Sequence, residues 1–371
     1  MGARMAIDLR TTLPGRDYYG PEVFELDRER IFFGHWFYLG RAEHLVAPGD
    51  YVAADVAGES IVVVRGKDDV LRGFYNVCRH RGSRLCDAGT GHMRGAIKCP
   101  YHAWSYAFDG RLIGTPMVAE DEIDRAALGL WPVAVDTWAG FLFVNFSDDP
   151  EPLVDSLAEQ RESPLPFERF GPLGELQVGA RTVVEVAANW KILVENYNEC
   201  LHCPTVHPEL VAVVPTYRRG EVIEDGRSDG GVGIADGGTS FTRSGRSELP
   251  VMPGFAAHEA TSIYAAFVFP NMFLDISGTS TVATCLQPRG PEETTVVAEY
   301  LFQPETIAAP GFDPSEIVDF TELVASQDYA VCERVQQGVR SRAFTHGVYA
   351  EKDELPLAFN RRYLAARDGH G

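Results

Sequence analysis

Lysine is nearly missing from this chain: only Lys67, Lys98, Lys191 and Lys352 occur in 371 residues. Lysine and arginine together number 33 against 53 acidic residues, a formal charge of −20. A surface so acidic repels phosphate backbones and anionic lipid, which excludes nucleic acid and membrane surfaces as partners. It favours a docking partner with a basic patch. Long apolar runs are also lacking, and none approaches the ~20 residues of a membrane span. The opening stretch, residues 1–10, has no apolar core of the kind a signal peptide needs. These absences predict a soluble, cytoplasmic protein. Cysteine is sparse and odd in number: Cys78, Cys86, Cys99, Cys200, Cys203, Cys285 and Cys332. At this density they read as metal ligands or buried thiols, not as a disulfide framework.

What is present is ordinary globular composition, 45% apolar and 23% charged, in a length that allows two or three domains. A helix is expected from Pro21 to Phe33, with proline in its first turn and apolar positions at Val23, Phe24, Leu26, Ile31 and Phe33. From Tyr51 to Phe146 the texture is one of short β segments. Ile61–Val64 and Phe141–Phe146 read as strands, and Trp104–Ile113 as a hairpin turning on Asp109-Gly110. Asp148–Pro172 is polar and proline-bearing, a domain junction. Beyond it, Arg181–Val186 reads as a strand, Trp190–Cys203 as a helix and Asp225–Ser247 as a mobile loop. Three strand-like runs follow, Ser262–Asp275, Thr279–Gln287 and Thr294–Gln303. Pro314–Phe344 reads as a closing helical segment. No glycine-rich phosphate loop is found; Gly230–Gly233 has no strand leading in and no Lys-Ser/Thr after it.

Two constellations carry chemistry. The first is Cys78-Arg-His80 with Cys99-Pro-Tyr-His102. Thiolates and imidazoles suit zinc or an iron–sulfur centre. A zinc finger places both cysteines in one pair and both histidines in the other, whereas here each pair holds one of each. That mixed order matches a Rieske [2Fe–2S] cluster, in which two thiolates hold one iron and two imidazoles the other. Cys86, between the pairs, reads as a packed thiol. The second constellation is Glu195, Glu199, His202 and His207. On a continuous helix Glu199 and His202, at i and i+3, share a face with Glu195, and Pro204 ends the helix so that His207 turns back. Two histidines and a carboxylate form the facial triad of non-haem Fe(II) oxygenases.

Asn76-Val-Cys-Arg-His-Arg-Gly82 and Cys99-Pro-Tyr-His-Ala-Trp-Ser105 resemble the Rieske motif of ring-hydroxylating oxygenases. With the histidine pair, nearly the whole chain resembles the large (alpha) subunit of a Rieske non-haem iron oxygenase. The resemblance implies a third iron ligand far downstream, for which Asp328 is the best match and Asp319 the competitor. It implies that Glu199 stands where many members have an aspartate linking a cluster histidine of one subunit to an iron histidine of the next. Glutamate here, within Glu195-Asn-Tyr-Asn-Glu-Cys200, resembles the subgroup acting on quaternary ammonium compounds such as choline, glycine betaine, stachydrine and carnitine. It departs from the arene-dioxygenase pattern without fixing the substrate.

The implied fold is α+β. A helical segment at 1–37 precedes a β-rich Rieske domain at 38–155. At 156–371 follows a helix-grip catalytic domain, an antiparallel sheet with long helices. The implied assembly is a head-to-tail homotrimer, fed from NAD(P)H by a separate reductase. Its substrates are O2 and a small organic molecule, and it carries the cluster and a mononuclear Fe(II). The strand Tyr264–Phe273 is implied to line the substrate pocket. An aromatic ring-hydroxylating dioxygenase, and an electron-transfer or zinc-structural protein without oxygenase activity, are the alternatives.

Overall fold

The computed structural model describes residues 10–157, 173–224 and 230–369. These divide into two compact units, one holding 32–157 with 173–175, the other holding the rest.

The first unit is β-rich. Its strands are β1 (Phe37–Arg41), β2 (Asp50–Val56), β3 (Glu59–Arg65), β4 (Leu71–Tyr75), β5 (Gly89–His92), β6 (Ile97–Lys98), β7 (Ser105–Tyr106), β8 (Leu112–Gly114), β9 (Pro132–Trp138) and β10 (Phe141–Asn145). Seven form an antiparallel sheet in the order β1-β10-β9-β4-β3-β2-β5, and β6-β7-β8 form a small second sheet. The run Ile61–Val64 is fully buried on both faces, as a β-branched central strand should be. The expected hairpin forms, with a longer loop than the two-residue turn read from Asp109-Gly110. Ala107 N donates to Arg111 O and Gly110 N to Ala107 O, leaving a three-residue loop. Gly110 takes the left-handed φ of +85° that such a loop needs, and a Cβ there would strike Phe74.

The second unit holds helices α1 (Pro21–Asp27), α2 (Trp190–Tyr197), α3 (Cys203–Val206), α4 (Ser315–Val339) and α5 (Glu354–Asp368). Its strands are β11 (Gln177–Val186), β12 (Val232–Gly233), β13 (Ser262–Val268), β14 (Met272–Ile276), β15 (Thr281–Gly290) and β16 (Glu293–Phe302). They pair antiparallel in the order β11-β16-β15-β14-β13-β12. Thr182 of β11 and Tyr300 of β16 both donate to Glu322 of α4, at 2.7 and 2.8 Å, which fixes the long helix over the sheet. Asp27, fully buried, accepts from Lys191 Nζ, from Trp190 Nε1 at 3.0 Å and from the Tyr363 hydroxyl at 2.7 Å. One carboxylate thus ties α1, α2 and α5 together.

The fold is α+β, as expected, with local departures. The helix from Pro21 passes at Arg28 into a π-helical turn ending at Phe32. The run Ser262–Asp275 is two strands, β13 and β14, broken around Pro270, which has no amide to donate to a ladder. Of the expected mobile loop, residues 225–229 lie outside the described residues. The remainder is packed rather than loose: Ser240 and Thr242 are buried, and Thr279 donates to Ser240 Oγ at 2.8 Å. Helix α5 had no counterpart in the sequence reading. Part of the expected junction, residues 158–172, also lies outside the described residues. Among the described residues no helix is long and apolar enough to cross a membrane.

Candidate active site with two sets of metal donors

Cys78 and Cys99 begin two loops of like form. Cys78 N donates to Ser83 O and Cys99 N to Trp104 O, both at 2.8 Å. Each cysteine carbonyl then accepts from the amide four residues on, that of Gly82 or of Ala103. Those two residues turn the chain with φ of +72° and +57°. Alanine pays roughly 1–2 kcal/mol for this conformation, which the surrounding hydrogen bonds must impose. The loops bring both thiols into the unit's core, each 2% exposed and within hydrogen-bonding reach of one another. The imidazoles stay at the surface side, ring centroids 4.8 Å apart, with His80 stacked on Trp104. Burial, the largest influence, holds the Cys78 thiol above its usual range. Two enclosed thiols beside two imidazoles are a donor set that a metal cluster would satisfy. Tyr106 contacts the Cys78 sulfur at 3.3 Å. Cys86 packs against this core, its thiol pushed up to about 11 by burial.

The second set departs from the expected helix. Helix α2 ends at Tyr197, and Glu199 to Leu201 are irregular. Pro204 starts a new turn instead of ending the old one, because proline suits the first turn of α3, whose N-cap is His202. Glu195 and Glu199 therefore share no helix face. Glu195 accepts from the Tyr18 hydroxyl at 2.7 Å. The loop still brings Glu199 to His202: Nδ1 of the imidazole donates to Oε1 at 2.5 Å, and Leu201 N donates to the other oxygen. His207, 1% exposed, donates from Nδ1 to Gln327 Oε1 at 2.8 Å. The two Nε2 atoms converge on one oxygen, Asp328 Oδ1, at 3.1 and 2.9 Å. Burial opposes the charged His202 imidazole, but its bonds to Asp328 and Glu199 outweigh this and raise it to about 9. Asp319 is exposed, beside Glu316 and Phe320 in a cleft that Thr242, Arg243 and Ser244 also line.

Cys200 and Cys203 are joined by a disulfide across this loop. This corrects the expectation that all seven cysteines are ligands or free thiols: a loop that folds back between Glu199 and His202 brings the two sulfurs together. Gln327 also escaped sequence reading, although its place next to Asp328 was a signal.

The description "Ring hydroxylating alpha subunit (catalytic domain)" matches residues 173–368, and "Rieske [2Fe-2S] domain" matches residues 35–136. The chain belongs to the ring-hydroxylating oxygenase alpha-subunit family. It is an oxidoreductase, with a Rieske [2Fe–2S] domain and a non-haem iron catalytic domain. Among relatives of this alpha subunit, the glycine betaine monooxygenase oxygenase subunit of Chromohalobacter salexigens is 29% identical over 373 residues, 93% of this chain and 83% of that one. The carnitine monooxygenase oxygenase subunit of Acinetobacter baumannii is 30% identical over 341 residues, covering 91% and 87%. A quaternary ammonium Rieske monooxygenase of known structure superposes with a TM-score of 0.79 at 26% identity, over 97% of this chain and 96% of that one.

Proposed function

We propose that this alpha subunit oxygenates a quaternary ammonium compound, such as glycine betaine or carnitine, at a mononuclear Fe(II) held by His202, His207 and Asp328. The convergence of both Nε2 atoms on Asp328 Oδ1 carries this reading. Three donors that already meet at one point are what a facial triad requires. In the same reading Cys78, His80, Cys99 and His102 hold the cluster within residues 38–155. Electrons come from NAD(P)H through a separate reductase, the chains assemble as a homotrimer, and the enzyme works in the cytoplasm. The names of the relatives support the substrate class.

When bound, ferrous iron activates O2 for insertion into a C–H bond. The chain's own residues do the positioning. Glu199 and Gln327 hold the Nδ1 atoms, which turns each Nε2 inward and fixes its tautomer. Glu199 keeps 16% of its side chain accessible, so its carboxylate can face a neighbouring subunit while it orients His202 and accepts the Nδ1 proton. If the attacked carbon is an N-methyl, the hydroxylated product collapses to formaldehyde and the demethylated amine. Substrate-dependent O2 uptake with a donor reductase, read across quaternary ammonium compounds and arenes with formaldehyde assayed in parallel, tests this. Uptake coupled only to arenes would replace the substrate class. Stoichiometric zinc without labile sulfide would remove the oxygenase reading.

A further inference from the structure

Outside the two donor sets, the carboxylate of Asp275 is bonded by no lysine or arginine among the described residues. Asp275 lies on β14 between Leu274 and Ile276, which are fully buried, yet it keeps part of its own surface accessible. Across the ladder, Ala265 stands opposite Asp275 and Phe267 opposite Phe273. Facing residues of an antiparallel pair, and alternate residues along a strand, share one face. Asp275, Phe273, Phe267 and the exposed Ala265 therefore look into one space. Tyr197, at the end of α2, stacks on Phe273 with centroids 3.9 Å apart and planes 7° apart. Its hydroxyl donates to Asp275 Oδ1 at 2.8 Å. Tyr217 is near enough that the Asp275 charge adds to burial in raising its phenol.

Asp27 shows what a structural carboxylate receives in this protein: an ammonium, an indole N–H and a hydroxyl. Asp275 receives one hydroxyl, and no lysine or arginine among the described residues pairs with it. Burial raises it to about 7, with only the Tyr197 bond drawing it back. An enclosed carboxylate costs free energy unless a cation joins it. A tetraalkylated ammonium has no N–H to donate, so it is recognised by charge and by aromatic faces. Both are here.

We propose that Asp275, held by Tyr197, selects the positive headgroup of the substrate, with Phe267, Phe273 and Tyr217 as its aromatic walls. This rests on the quaternary ammonium reading above and assigns it to particular side chains. Tyr197 precedes His202 by five residues, so one segment carries both a headgroup contact and an iron donor.

The test uses iron-loaded holoenzyme and two probes, glycine betaine and 3,3-dimethylbutanoate, in which carbon replaces the charged nitrogen. Asp275→Asn keeps the size and the acceptor for Tyr197, and an unchanged cluster spectrum checks its folding. Expected is a loss of affinity for glycine betaine of about tenfold or more. The isostere, which carries only a negative charge, should bind as well as before or better. KM should rise more than kcat falls. Asp275→Glu should keep the preference for the cation with weaker binding. Equal loss for both probes, or no loss, would overturn the assignment while leaving the substrate class standing. If wild type binds neither glycine betaine, carnitine nor choline, the substrate class itself falls and this assignment with it.

Discussion

Each imidazole of the histidine pair has two nitrogens with two tasks. Nδ1 is tied outward, to Glu199 or Gln327, and Nε2 is left to meet Asp328. Removing the inner donor and removing the outer tie should therefore have different effects. His202→Ala should lose mononuclear iron and product formation while the visible spectrum of the cluster survives; continued turnover would refute the assignment. Asp328→Ala should behave likewise and Asp319→Ala should not, as iron analysis of both would show. Glu199→Gln keeps the size but removes the charge. Both centres should stay loaded, and oxidation of the pre-reduced cluster in a single turnover should slow by about tenfold or more. An unchanged rate would take Glu199 out of the electron route, and loss of iron would make it a ligand. These sites were legible because their donor types and spacings are rare. Asp275 was not: one aspartate in a strand of aromatics carries no pattern until Tyr197 is seen to reach it.

The junction of α1, α2 and α5 is built around two carboxylates of unlike setting. Asp27 has a buried lysine; Glu195, partly buried nearby, has the Tyr18 hydroxyl and neighbouring polar groups. Burial raises Glu195 to about 7, although Tyr18, Asn360 and Lys191 pull the other way. A raised acid costs stability wherever the unfolded chain is ionised. The cost is absent well below pH 4.5, grows as pH rises from there to about 7, and is complete above. Glu195→Gln should thus stabilise more at pH 8 than at pH 5.5, by on the order of 2 kcal/mol. Denaturant midpoints at the two pH values check it, and equal shifts would show that the site is solvated. At this scale the sequence was read well where periodicity is strong, as for Pro314–Phe344, observed as Ser315–Val339. It misled where proline can either end or begin a helix: Pro204 begins one. Helix α5 escaped because its first turn carries Pro356 and its polar residues mask the buried Leu357, Phe359 and Tyr363.

At the scale of the molecule, the net charge of −20 must be felt by anything that approaches. A reductase that docks on such a surface needs a positive face, and its encounter rate gains from long-range attraction. Salt screens that attraction over about 10 Å at 0.1 M. Turnover at limiting reductase should fall several-fold between 20 and 300 mM salt, while turnover driven by a small uncharged reductant should hardly change. A flat profile with the reductase would mean that docking is apolar and the acidity serves solubility alone. The α+β architecture, with a β-rich unit and a helix-bearing one, was implied by the family resemblance that the Cys/His pairs carry, while segment texture alone gave the short strands and the long closing helix. The packed stretch after residue 230 did not, since its order comes from buried serine and threonine contacts that look like loop chemistry in one dimension.

The disulfide between Cys200 and Cys203 bears on which metal the second site accepts. The sulfur of Cys203 lies 3.8 Å from His202 Nε2, within the same small group of potential donors as His207. As a free thiolate it would add a soft ligand to two imidazoles, the kind of set that holds zinc tightly. Locked to Cys200 it offers no thiolate, and the hard carboxylate of Asp328 is left to complete the set. Zinc should therefore displace iron more readily from protein treated with a thiol reductant than from untreated protein, as metal analysis after dialysis would reveal. A bond that spans a sequence separation of only 3 would then act as a filter on metal identity.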